Sequence, residues 1–262
     1  MRAESSNVQI VTWCDGGRIV QRSLPPAESD VVPGVRWGKF DEFFTPAFWV
    51  ARDWIDGDDS DFTSYAIGRS FREDLAACLL GGHGMPAEVG LAAFKRLRDW
   101  HLLDGRATEV AIECALREPL QIGSRLVKYR FPRAKAGFVW AAMRRLNLED
   151  PPTATGREMR DWLLKFRGIG PKTASWITRN SLGADDVAIL DVHIIRAGFL
   201  MGLFSATECV RRDYFAMERK LVALADALGM KLSRFDSMIW CYMRRLNRLA
   251  LRALSYAGIE ST

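Results

Sequence analysis

The chain has 262 residues, 48% of them hydrophobic, which is enough apolar content for a substantial core in one large or two smaller domains and excludes a disordered chain. A formal net charge of +5 fits a polyanionic partner. Five scattered cysteines without a CxxC pair exclude a zinc ribbon and a closely spaced iron–sulfur loop, so neither metal nor cofactor is expected.

Residues 1–9 are polar, and no apolar run approaches membrane-spanning length. With an odd number of thiols, this predicts a reducing, bacterial-type cytoplasm. Residues 8–13 and 18–24 alternate in polarity around Cys14-Asp15-Gly16-Gly17, which predicts a β-hairpin. Residues 40–55 are aromatic-rich and predict a helix with Trp49 and Trp54 buried. Between Asp41 and Asp61 seven acidic residues stand against a single Arg52. The polar run 56–61 is a break, setting an N-terminal extension, residues 1–60, apart from a helical domain, residues 61–262.

From Arg69 onward helical patterns dominate, with breaks at 81–86, 104–105, 119–123 and 150–155, so the fold class is mainly α. Residues 119–148 hold seven basic side chains (Arg125, Lys128, Arg130, Arg133, Lys135, Arg144, Arg145) and no acidic one. Tyr129, Phe131, Phe138 and Trp140 are interleaved with them, as in a face for nucleic acid. A C-terminal helix is expected to carry Arg244, Arg248 and Arg252 at i, i+4, i+8.

The most specific stretch begins at residue 155. Thr155 and Glu158 have the spacing of a capping box, and Met159, Trp162, Leu163 and Phe166 then mark one apolar helix face. Gly168-Ile169-Gly170 follows, its glycines permitting positive φ and close approach. Pro171 suits the first position of a second helix, whose packing face is expected from Ala174, Ile177 and Ser181 and whose stop is expected at Gly183. Free N–H groups and the helix dipole then converge near Gly168–Lys172, where a phosphate can sit. Nineteen residues beyond Lys172 stands Asp191, a natural N-cap for an apolar helix on which His193 and Arg196 share one face.

Gly168-Ile169-Gly170-Pro171-Lys172, with Leu190-Asp191-Val192-His193 at its downstream spacing, resembles the helix-hairpin-helix (HhH-GPD) base-excision DNA glycosylase superfamily, most closely its 8-oxoguanine DNA glycosylase/lyase branch. The resemblance extends loosely over residues 71–254, and residues 1–60 show no match. It implies a helical glycosylase fold of two lobes with a DNA cleft between them, carrying a small extension that contains the β-hairpin. It implies that Lys172 is the nucleophile, whose neutral amine is favoured by a helix N-terminus and by partial desolvation. Asp191 would both cap its helix and stabilise the sugar cation. Gly168, Gly170, Thr173, His193 and Arg196 would hold the DNA backbone.

Residues 81–86 stand where the superfamily places a hole-filling loop, which makes His83 or Met85 a candidate wedge. The usual asparagine- or glutamine-rich loop is absent. Asp236 and Trp240, one helical turn apart, are candidates for a polar contact and an aromatic stack on a flipped base. Asp236 departs from the amide of some relatives, which leaves the base open. The implied partner is double-stranded DNA with a modified base, bound by a monomer. Two alternatives stay open: a glycosylase for a different modified base, as in anti-phage defence, and a non-catalytic DNA clamp. A clamp requires neither Lys172 nor Asp191.

Overall fold

The structure is a computed structural model that describes residues 8–57, 67–82, 84–256 and 258. β1 (Gln9–Asp15) and β2 (Arg18–Leu24) form the expected antiparallel hairpin, closing at Gly16 and Gly17 with φ of 53° and 83°. Such a two-residue turn needs positive φ at both central positions to match the strand twist. A second small hairpin, β3 (Asp30–Val32) with β4 (Val35–Arg36), has strands too short to display an alternating pattern.

α1 (Pro46–Asp56) begins later than the aromatic run suggests. Thr45 caps it, its hydroxyl accepting from the Phe48 N–H at 3.0 Å, and Phe44 just before it has φ 71°, which no helix tolerates. Trp49 is fully buried as expected, but Trp54 is only half-buried, stacked on Trp13 at 6.3 Å with the Arg22 guanidinium beside both rings. At the surface a stacking partner does the shielding that a core would otherwise supply.

The rest is dominated by helices: α2 (Phe71–Leu80), α3 (Ala87–Asp99), α4 (Glu109–Arg117), a hairpin of β5 (Leu120–Ile122) and β6 (Arg125–Val127), α5 (Pro132–Arg145), α6 (Gly156–Leu163), α7 (Pro171–Leu182), α8 (Val192–Leu200), α9 (Val210–Ala227), α10 (Leu232–Arg245) and α11 (Asn247–Tyr256). The β5–β6 hairpin occupies what reads in sequence as a simple break at 119–123, turning at Gly123 with φ 58°. The helix expected to carry Arg244, Arg248 and Arg252 is interrupted at Leu246 (φ −89°, ψ 16°), which divides α10 from α11. Among the described residues no helix is long and apolar enough to cross a membrane.

Two compact units result, Met1–Thr63 with Ala188–Thr262, and Ser64–Val187. In the first, the N-terminal hairpins and α1 share a core with α8–α11 that includes Val11, Trp49, Met217 and Phe235. Of the expected extension, the described residues 8–57 share this core with the C-terminal helices. Tyr242 stands edge-on to both Phe48 and Trp49, and Arg234 pairs with Asp53. The second unit is built around Leu75, Phe94, Ile112, Leu116, Met143 and Met159.

The basic stretch 119–148 is not one solvated face. Lys135 turns inward, its Nζ donating to the Leu79 and Gly81 carbonyls at 2.5 and 2.8 Å, while the Tyr129 hydroxyl donates to the Leu80 carbonyl at 2.5 Å. Together they satisfy the last carbonyls of α2, which have no partner inside their own helix. Burial pushes the Lys135 ammonium below its ordinary range and the Tyr129 phenol above its own. Arg145 lies over Trp162 and Phe166 and pairs with Glu149.

Candidate active site

The lysine lies in the second unit. Thr155 caps α6 by accepting from the Glu158 N–H at 3.1 Å, and Met159, Trp162, Leu163 and Phe166 are all buried. Ile169 is buried too and anchors the tip of the connection to α7. Gly168 has φ 90°, and a β-carbon there would stand 2.5 Å from Phe138 Cδ2. Gly170 does not use the positive φ open to it: its φ of −101° and ψ of 173° are ordinary extended backbone. Its contribution is open space, since a β-carbon would meet nothing within 4 Å.

Gly170 is also the N-cap of α7, with no side-chain cap and with Pro171 behind it. The first-turn N–H groups of Lys172 and Thr173 thus have no side-chain cap among the described residues, the arrangement that suits an anion. Within α7 the packing face is Ala174, Ser175, Ile177 and Thr178, whereas Ser181, expected there, is exposed in the last turn. Gly183 ends the helix in the left-handed conformation as expected.

Lys172 is exposed, so the desolvation expected of it is not present in the protein alone. It stands on the rim of a cavity of about 300 Å³ shared with Thr173 and Trp176 of α7, Cys78 of α2, Leu91 of α3 and the connection through Gly82 and Met85. His83 lies outside the described residues. Trp176 and Cys78 escaped the sequence reading, although Trp176 was legible as the residue one helical turn beyond Lys172. Burial, with a smaller contribution from the Asp74 charge, raises the Cys78 thiol to about 12.

The aspartate lies in the first unit. Asp191 is the N-cap of α8, and both capping bonds use Oδ1, from the His193 N–H at 2.8 Å and the Ile194 N–H at 3.0 Å. A carboxylate fixed through one oxygen presents the other at a defined place. His193 is half-buried and edge-on to Trp240 at 6.3 Å. Arg196, also half-buried, has its Nε enclosed with no hydrogen-bond partner among the described residues.

Trp240 is half-buried, and the Arg244 guanidinium lies over its ring at 4.8 Å. Asp236 is 4% exposed, its Oδ2 standing 3.5 Å from the Ile189 N–H. Two further residues, Tyr214 and Glu218 of α9, grip the segment leading into Asp191. No sequence motif announces them, because the contact depends on how α9 packs.

A family model described as 8-oxoguanine DNA glycosylase (Ogg-HhH) matches residues 59–230. The protein of Methanocaldococcus jannaschii named 8-oxoguanine DNA glycosylase/AP lyase is 30% identical over 200 residues, covering 74% of this chain and 90% of its own. That of Saccharolobus solfataricus, with the same name, is 34% identical over 122 residues, 43% of this chain and 58% of its own. The crystal structure of the M. jannaschii protein in complex with a 15mer DNA containing 8-oxoguanine is similar at a TM-score of 0.51 and 29% identity, over 70% of this chain and 84% of that one. The hairpin, Lys172 and Asp191 all fall within the matched residues, and the chain belongs to the 8-oxoguanine DNA glycosylase family.

Proposed function

We propose that this protein is a DNA glycosylase/AP lyase that excises 8-oxoguanine from duplex DNA through an imine on Lys172. The observation that carries the reading is the placement of Lys172 directly after the Gly168–Gly170 connection, at the second position of α7 and on the rim of a cavity. The backbone N–H groups of that turn hold a phosphate, which sets the lysine beside the adjoining deoxyribose. Only the neutral form of the amine is a nucleophile.

The amine then attacks C1′ as the glycosidic C–N bond breaks, and the base leaves with the bonding electrons and takes up a proton. Asp191 stabilises the positive charge that develops on the sugar. Opening of the ring gives the C1′=N imine, which acidifies the C2′ hydrogen. Loss of that proton expels the 3′ phosphate by β-elimination. Thr173, His193 and Arg196 contact the DNA backbone, with the Arg196 guanidinium supplying charge. Trp240 stacks on the extruded base and Asp236 accepts a hydrogen bond from its edge.

The test is a panel of duplexes carrying single modified bases, assayed for base release and for strand cleavage without alkali. Release of 8-oxoguanine with nicking supports the reading. A preference for another base, or tight binding with no release, rejects it.

A further inference from the structure

The approach to Asp191 is unusual in its support. Residues 188–190 belong to neither helix nor strand, yet Ala188 and Leu190 are 0% and 2% exposed. Buried backbone outside regular structure must find partners for each polar group, and such segments normally run over the surface. Here side chains supply them. The Ala188 N–H donates to Glu218 Oε1 at 3.1 Å, and the Leu190 N–H donates to the Tyr214 hydroxyl oxygen at 3.3 Å. That hydroxyl in turn donates to the Ala188 carbonyl at 2.9 Å.

Tyr214 and Glu218 are one helical turn apart on α9 and are 6% and 4% exposed. One phenol therefore bridges two residues of the segment, and one carboxylate holds its start. The Asp191 N–H closes the run by donating to the Ile189 carbonyl at 2.8 Å. Placing two polar side chains in an apolar core carries a desolvation cost that an apolar pair would avoid. Such a cost is usual where a functional group must be held to within a fraction of an ångström.

We propose that Tyr214 and Glu218 are positioning residues for Asp191: they fix residues 188–190 and thereby the place of the carboxylate, without touching DNA. The inference rests on Asp191 acting in base excision as read above. A segment held only by apolar packing would let the N-cap shift, and a small misplacement of a catalytic group lowers the rate of the chemical step while leaving binding unchanged.

The experiment measures single-turnover excision of 8-oxoguanine, and affinity for the lesion duplex, in Tyr214→Phe, Glu218→Leu and Glu218→Gln, each with and without Asp191→Asn. Tyr214→Phe and Glu218→Leu should each lower the excision rate by about tenfold at unchanged affinity. Glu218→Gln keeps an acceptor and should stay close to wild type. In the Asp191→Asn background Tyr214→Phe should cost nothing more, because the group it positions is gone. An equal loss in both backgrounds, or a loss of affinity in place of rate, overturns the proposal. If Glu218→Leu does not fold, Tyr214→Phe, which deletes a single oxygen, carries the test. Wild-type excision by Asp191→Asn would defeat the underlying reading. A large loss there, with none in Tyr214→Phe, would defeat only the positioning role.

Discussion

Phe138 stands where a β-carbon on Gly168 would have to go, with its Cδ2 2.5 Å from that position. The glycine also has φ 90°, so close packing and backbone conformation both require it. Gly168→Ala should lower stability by about 2 kcal/mol or more, from left-handed strain together with displacement of a packed ring. Gly170→Ala, whose β-carbon meets open space, should cost less than about 1 kcal/mol in stability, the scale of an N-cap change. It should still weaken DNA binding, because the methyl would stand where a phosphate approaches. Denaturant titration with DNA binding on both variants checks this, and equal stability losses would contradict it.

Asp191→Asn keeps the size of the cap and removes its charge. Stability should fall by about 1 kcal/mol or less. Excision should fall by about two orders of magnitude, since in the proposed mechanism the charge stabilises a developing sugar cation. A changed melting temperature with full excision would leave Asp191 a structural cap alone.

The sequence was legible where local rules decide the structure. The Thr155 and Asp191 caps, the Gly16-Gly17 turn and the stop at Gly183 each depend on a few adjacent residues and stand as expected. What escaped depends on tertiary packing. Lys135 reads as one of seven surface cations but satisfies the end of α2, more than fifty residues away in sequence. Tyr214 and Glu218 read as ordinary helix positions. Both glycines of the connection permit positive φ, but only Gly168 uses it, because Gly170 is an N-cap with extended geometry, so spacing alone did not reveal which of the two needs it.

Cys78 gives a pH signature. Its thiol stands at about 12 in the folded chain against an ordinary value of 9.0, chiefly through burial. Between those values the folded state holds a proton that the unfolded state has lost, so the thiol's contribution is complete below pH 9 and lost as pH rises toward 12. The wild type should therefore lose stability faster than Cys78→Ala as pH is raised above 9. Thermal melts of both proteins across that range provide the check, since other titrating groups are common to the pair. Parallel curves would contradict the burial of the thiol.

On the proposed reading, base choice divides between Trp240 and Asp236. A stack on Trp240 serves any base and is worth on the order of 1–3 kcal/mol. Trp240→Ala should lower excision of all substrates together. Asp236→Ala should instead change the ratio between 8-oxoguanine and other bases, because a directed polar contact discriminates. Asp236 is buried and accepts from the partly buried Ile189 N–H, so stability should fall as well, by about 1 kcal/mol. The ratio is the deciding measurement. Equal losses on every base would confine Asp236 to the core.

The proposed chemistry depends on Lys172. Borohydride reduction of the wild-type protein on an 8-oxoguanine duplex should yield a covalent protein–DNA adduct, since it converts the imine to a stable amine. Lys172→Gln should form none, while its affinity for the same duplex stays within about tenfold of wild type, because only the nucleophile is removed. Undiminished adduct in the Lys172→Gln protein would place the chemistry on another residue and contradict the mechanism.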